Sequence, residues 1–293
     1  MRSLRTALLL AAFPALAHAQ QQAIDKRFAL NPDGVVRIFN LIGSIKVIGW
    51  DRDSVTLTGT AAAGLGVVGG GPREGVKLMV TGEQTSPAQA ADLVVHLPAR
   101  AWITIKTASA DVDVSAVTGE VQIDATTGRI RIQGTPHGVD AETMSGDLEV
   151  IASPAYLRGR TGTGHITWTG SSEDAGLVTV SGRIDINGGT VTRGRFESID
   201  GNIRFTGGVT KRAEVVFDTH GGDVVLVLAK DTEAQIEVYA PSGDLFGKRI
   251  NMDTLHLALA RRDASYAQAG KTGPASPTIT VRSFKGRVTV SLQ

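Results

Sequence analysis

Three clusters in the 293-residue sequence have side chains of a kind that could do chemistry. The first is DTHGGD, Asp218 to Asp223. Alternation along an extended chain puts Asp218 and His220 on one face, and a carboxylate beside an imidazole is how a metal centre begins. A metal site needs three or four convergent ligands, and neither H-x-H nor H-E-x-x-H occurs in the chain, so neither metal nor cofactor is expected. The second cluster is Asp223 with Asp244. If the chain repeats with their spacing, their carboxyls stack at about the 5–5.5 Å of a retaining glycosidase pair. Acidic positions recur automatically in a repeat, however, and nothing gives these two the different surroundings that an acid and a base require. The third is GLGVVGGG, Gly64 to Gly71, which contains G-x-G-x-x-G. A dinucleotide site needs a helix after that motif; here PREG and the alternating VKLMV follow, so the stretch reads as a loop. The chain has no cysteine and no G-x-S-x-G, which removes thiol and common serine nucleophiles. No catalytic residue is assigned, and the chain is read as not an enzyme.

A short phrase recurs down the sequence: TTGRIRIQG, MSGDLEV, GTGHITW, VSGRIDI, IDGNIRF, HGGDVVL. Its glycines, Gly128, Gly146, Gly164, Gly182, Gly201, Gly222 and Gly243, lie 18 to 21 residues apart. Two places after each glycine stand Ile130, Leu148, Ile166, Ile184, Ile203, Val224 and Leu245; four places after stand Ile132, Val150, Trp168, Ile186, Phe205 and Leu226. Five places before stand Ile123, Ala141, Gly159, Leu177, Phe196, Phe217 and Val238; three before, the column is uniformly small, from Ala125 and Thr143 to Thr219 and Ala240. Apolar positions are odd-numbered before the glycine and even-numbered after it. A straight strand cannot change parity, so the glycine is expected at a corner, where positive φ favours it. Like residues recurring at one period predict parallel strands stacked about 4.8 Å apart. The expected fold class is all-β, a single-stranded β-solenoid or β-helix with coils of roughly 18–21 residues.

The outward positions form the candidate binding face: Arg129, Arg131, Asp147, Glu149, His165, Arg183, Asp185, Arg204 and Asp223. Stacking pairs Arg129 with Asp147, Arg131 with Glu149 and Asp185 with Arg204, each pair stabilising by about 0.2–1 kcal/mol. Such a polar face either fixes the register or binds sugar or peptidoglycan. Of the three tryptophans, Trp168 falls in an inward column, and Trp50 and Trp102 fit strand-end packing. The sequence alone does not locate an exposed aromatic platform for sugar.

Residues 1–19 read as a signal peptide: Arg2 and Arg5, the apolar run Ala7 to Ala17, then Ala17-His18-Ala19, with cleavage expected after Ala19. That run is shorter than the ~20 residues a membrane span needs. Without Arg2 and Arg5, 28 of the 30 basic residues remain against 29 acidic ones, a near balance that argues against nucleic acid. With 35 glycines and few aromatics, the rest reads as one domain over 20–293. Its parts are irregular coils with an inserted loop at 20–100, regular repeats at 101–247, and a loop with a closing coil at 248–293. Solenoid ends expose strand edges, and the irregular parts are expected to cover them. Leu255, Leu257 and Leu259 alternate as a strand, Ala264 to Pro277 reads as an exposed loop, and Gly286 restores the phrase for a last coil.

NLIGSIKVIGWDRDSVTLTG, Asn40 to Gly59, resembles the opening of the bacterial putative-adhesin family of β-strand-repeat proteins, a domain of unknown function. Asn40, Gly43, Ile45, Val47, Trp50 and Asp51 fit its pattern, and LPARAWITIKTASADVDV resembles the entry into its repeats, with Ala110 in place of the usual glycine. The resemblance runs from about Arg27 to Gln293. It implies an exported or envelope-associated, non-catalytic β-solenoid, periplasmic or on the cell surface, binding an envelope glycan or protein. The alternatives are a polysaccharide-active β-helix enzyme and an envelope-stress scaffold that binds a protein partner.

Overall fold

The computed structural model describes residues 21–229, 232, 234–239, 250–251, 259–262, 266–270 and 276–293. The signal-like segment, Gly243, Asp244, Leu245, Leu255 and Leu257 lie outside the described residues. The protein is all-β. Strands β1 (Gln22–Ala29), β2 (Val35–Phe39), β3 (Gly43–Trp50), β4 (Ser54–Ala61), β5 (Gly66–Gly70), β6 (Gly75–Thr81) and β7 (Ala91–Pro98) precede the regular part. There follow β8 (Trp102–Thr107), β9 (Asp111–Val117), β10 (Glu120–Ala125), β11 (Ile130–Gly134), β12 (Gly138–Thr143), β13 (Leu148–Ala152), β14 (Tyr156–Thr161) and β15 (Ile166–Thr169). Next come β16 (Ser172–Thr179), the long β17 (Ile184–Ser198) and β18 (Ile203–Thr219), and β19 (Val224–Leu228). The chain closes with β20 (Gln235–Tyr239), β21 (Ile250–Asn251), β22 (Leu259–Arg262), β23 (Tyr266–Gly270), β24 (Thr278–Ser283) and β25 (Val288–Leu292).

Two parallel ladders run through the molecule. In one, β8, β10, β12, β14, β16 and the second halves of β17 and β18 pair in succession. In the other, β9, β11, β13, β15, the first halves of β17 and β18, and β19 do the same. Ile130 pairs with Leu148, Leu148 with Ile166, Ile166 with Ile184, Ile184 with Ile203 and Ile203 with Val224, so the sequence columns are the columns of the sheet. They are fully buried, and Phe196, Phe205 and Phe217 stack across the two ladders with ring centroids 5.2–5.5 Å apart. Trp168 is buried too, its indole N–H donating to the Ala152 carbonyl at 3.0 Å. Parity changes at the corner as expected: Val139, Ala141 and Thr143 face inward, then Gly146, Leu148 and Val150.

The reason for the corner glycines is different from the one expected. Of those described, only Gly128 has φ in the left-handed region, at 98°. At the others a β-carbon would strike the corner of the rung before: 1.8 Å from the Gly128 carbonyl oxygen at Gly146, 1.9 Å from that of Gly146 at Gly164, and 1.7 Å at Gly182, Gly201 and Gly286. These glycines stack backbone upon backbone. The small column three places earlier explains their ordinary φ. Buried Thr143, Thr161, Thr179, Ser198 and Thr219 each accept, at the side-chain oxygen, the N–H of the glycine that follows, at 2.8–3.1 Å. Before Gly128 that place holds Ala125, which has no oxygen to offer.

Chain order and rung order part company at both ends. β2 and β3 lie between β6–β7 on one side and β8–β9 on the other, so the second coil in sequence lies outermost. At the far end β24 and β25 pair directly with β18 and β19, and β20 and β21 stack outside them. The final phrase is therefore an inner rung and not a terminal one. Antiparallel strands cover the outer rungs: β4 on β7 and β1 on β4, β5 on β6, and β23 on β20 with β22 beyond. The expectation of loops at Gly64–Gly71 and at Ala264–Pro277 is corrected in part, since β5 and β23 fall there. The exposed edge strand β1 bears Asp25, Lys26 and Arg27, charges that oppose pairing with another chain.

Candidate functional site

The expected outward face is mostly engaged in holding the corners. Asp111, Asp147, His165, Asn202 and Asp223 accept at a side-chain oxygen or nitrogen the backbone N–H of the equivalent residue one rung on. The donors are Arg129, His165, Arg183, Asp223 and Arg287, at 2.7–3.0 Å. Asp147 thus serves His165 and does not pair with Arg129, which reaches Asp113 at 3.9 Å. Arg131 and Glu149 pair as expected, at 2.6 Å. Asp185 is taken by Arg183 of its own segment, not by Arg204. Asp223 abuts Arg287 because β25 is the next rung; Asp244, the other member of the expected carboxylate pair, lies outside the described residues. The DTHGGD cluster is dispersed as well: Asp218 faces Arg282 at 3.9 Å, and His220 stacks on Phe284 with centroids 4.7 Å apart. The Asn40 to Asp51 motif is also structural. Asn40 is buried and donates to the Ala91 carbonyl at 2.8 Å, and Gly43, at φ 122°, packs against the same carbonyl.

A different set of side chains converges at the opposite corner, where the strands of the first ladder begin. Trp102, Glu120, Gly138 and Tyr156 open β8, β10, β12 and β14 and stack rung on rung. Trp102 is 56% exposed, the most exposed aromatic side chain among the described residues. The Tyr156 hydroxyl donates to Glu120 Oε2, its ring crossing above Gly138, where a β-carbon would lie 2.2 Å from both that ring and Glu120 Oε2. His137 packs edge-on against Tyr156, and its Nε2 lies 3.8 Å from Glu120 Oε1. The Glu120 side chain is only 18% exposed. Partial burial, and then the Glu120 carboxylate as hydrogen-bond acceptor and negative neighbour, push the Tyr156 hydroxyl up to about 12. Two residues before Trp102, Arg100 lines a shallow cleft of about 260 Å³ with Pro32, Trp50, Asp51, Asp53, Pro98 and Ala99. Trp50 is held there by its N–H to the Ser54 carbonyl and by Arg52 over its ring at 5.1 Å. Sequence reasoning missed this set because it followed the corner glycines. The 18-residue spacing of Trp102, Glu120, Gly138 and Tyr156 was the available signal.

A third feature is an apolar row along the glycine corner. Leu41, Met144, Val180, Ile199 and Phe284, each two places before a corner glycine, stand exposed.

The model of one family, Toastrack DUF4097, matches residues 93–291, from β7 to β25. Asn40 to Gly59 thus lies before the matched residues. No curated protein is significantly similar in sequence. The structure of a putative adhesin from Bacteroides fragilis is similar over 94% of this chain and 99% of its own, at 13% identity and a TM-score of 0.43. One from Parabacteroides distasonis covers 94% and 98%, at 10% identity and a TM-score of 0.35. A putative cell adhesion protein from Clostridium sporogenes covers 92% and 99%, at 9% identity and a TM-score of 0.22.

Proposed function

Since the chain belongs to the Toastrack DUF4097 family, we propose that it is an exported, non-catalytic, adhesin-like binding or structural module of the bacterial cell envelope. It is a single β-solenoid of 18–21-residue coils over residues 20–293, with regular repeats at 101–247 and a closing part at 248–293, delivered by a signal peptide at 1–19. The in-register pairing of like residues supports the solenoid. The observation that carries the non-catalytic reading is the occupation of the outward face: its carboxylates cap backbone N–H groups or pair with arginines. No helix among the described residues is long and apolar enough to cross a membrane. The partner is an envelope glycan or protein, and the near balance of charge argues against nucleic acid.

The test is residues 20–293 on a glycan and peptidoglycan array, with analysis of the products. The expected result is retention without new reducing ends; specific chain cleavage would overturn the reading. The exposed row of Leu41, Met144, Val180, Ile199 and Phe284 favours a second reading, a scaffold that binds a protein partner. On that reading, Met144→Asp with Ile199→Asp abolishes protein capture and leaves glycan retention unchanged.

A further inference from the structure

We propose that Trp102 and Glu120, on neighbouring rungs of the first ladder, form a subsite for an uncharged or N-acetylated pyranose unit of an envelope glycan. The proposal rests on the reading of the protein as a binding module and gives it a place and a ligand class.

An indole left 56% exposed at the start of a strand adds little to the core. Trp102 stacks on no other ring and lies under no cation among the described residues, and more than half of it is open to solvent. Its backbone is fixed: the N–H donates to the Gly34 carbonyl at 3.0 Å, and β8 is paired on both sides. An exposed aromatic on a fixed backbone is a low-entropy contact surface. A pyranose ring fits it, because its axial C–H groups form an apolar face while its hydroxyls radiate from the rim.

Glu120 supplies the polar partner. It stands one rung from Trp102, about 4.8 Å along the ladder. Its carboxylate is oriented by the Tyr156 hydroxyl on one oxygen and approached by His137 on the other. An acceptor held in advance, and largely out of water, discriminates for a ligand with hydroxyl or amide donors. It also disfavours uronic acids, whose negative charge would face Glu120 itself; Asp124 and Asp140 on the same sheet are already paired with Lys106 and Arg160. The bare Cα of Gly138 leaves the passage through which Tyr156 reaches Glu120.

The test uses residues 20–293 with four probes: peptidoglycan sacculi, chito-oligosaccharides, cello-oligosaccharides and, as the anionic control, polygalacturonate. Binding is read by co-sedimentation or calorimetry and by indole fluorescence. Trp102 is the most exposed of the three tryptophans, since Trp168 is buried and Trp50 only partly exposed, and the quenching lost in Trp102→Ala isolates its signal. The wild type is expected to bind a neutral or N-acetylated probe, with protection of Trp102 from iodide. Trp102→Ala and Glu120→Gln are expected to weaken binding about tenfold or more, the loss of a hot-spot contact. Trp102→Phe should keep part of the affinity, and thermal melts should match the wild type. Retention of a probe equally by wild type and Trp102→Ala sinks the subsite and leaves the binding module standing. A wild type that binds only polygalacturonate, or none of the four, also overturns the subsite. Cleavage of any probe overturns instead the non-catalytic reading beneath it.

Discussion

A β-carbon added at Gly164 would lie 1.9 Å from the Gly146 carbonyl oxygen, although Gly164 itself has an ordinary φ. Gly64 is the reverse case, with φ 85° and nothing within 4 Å of the added atom. The two positions separate the two reasons for keeping glycine. Gly64→Ala bears only the strain of left-handed backbone, about 1–2 kcal/mol. Gly164→Ala must spread two rungs of a rigid ladder and is expected to cost about 3 kcal/mol or more; denaturant titration of both variants measures the difference. Tyr156 carries a second residue-scale prediction. Its hydroxyl ionises near pH 12 in the folded protein against about 10 when unfolded. A raised pKa favours the protonated native state, so this contribution is complete below pH 10 and is lost as pH rises from 10 to 12. Titration of tyrosinate absorbance should show a late component that is lost in Tyr156→Phe and moved to lower pH in Glu120→Gln.

The strands of the regular part were legible because a period of 18 puts the same residue type over itself. Ile130, Leu148, Ile166 and Ile184 declare an inward column without any knowledge of the turn between them. Strand pairs beyond the repeat were not legible. β1, β4, β5, β22 and β23 run antiparallel, and β5, GVVGG, reads as a loop until β6 gives it a partner. The candidate site was hidden for a related reason: Trp102 opens β8 at the corner away from the recurring phrase, and its neighbours belong to β10 and β14. The outward pairing rule failed where a better acceptor geometry existed, as when Asp147 turned to the His165 amide and away from Arg129. For the edge element β1 the physics predicts an outcome. Asp25 and Lys26 are exposed on a strand that, among the described residues, is paired on one side only. Asp25→Val with Lys26→Val should leave the melting temperature within a few degrees while shifting gel-filtration elution toward dimers and larger species, since an uncharged edge accepts another strand.

Across the whole molecule, the rungs from β8 to β18 join residues 18 to 21 apart, whereas Asp223 meets Arg287 only after the chain has gone out to β20 and returned. Removing residues 276–293 therefore takes out an inner rung: β18 and β19 lose their outer partners and β20 loses the strand beneath it. The expected outcome is an aggregating protein with buried Phe217 and Leu226 uncovered, checked by light scattering and dye binding to apolar surface. The same interleaving has a mechanical meaning. β24 and β2 each have a parallel neighbour on both sides, so tension applied along them must shear two rows of hydrogen bonds at once. β1 and β5 hold on one side only among the described residues, so under the same pull only one row of hydrogen bonds resists. A tether loaded from outside would then yield first in its covers, and the central rungs that carry Trp102 and Glu120 would stay aligned under load.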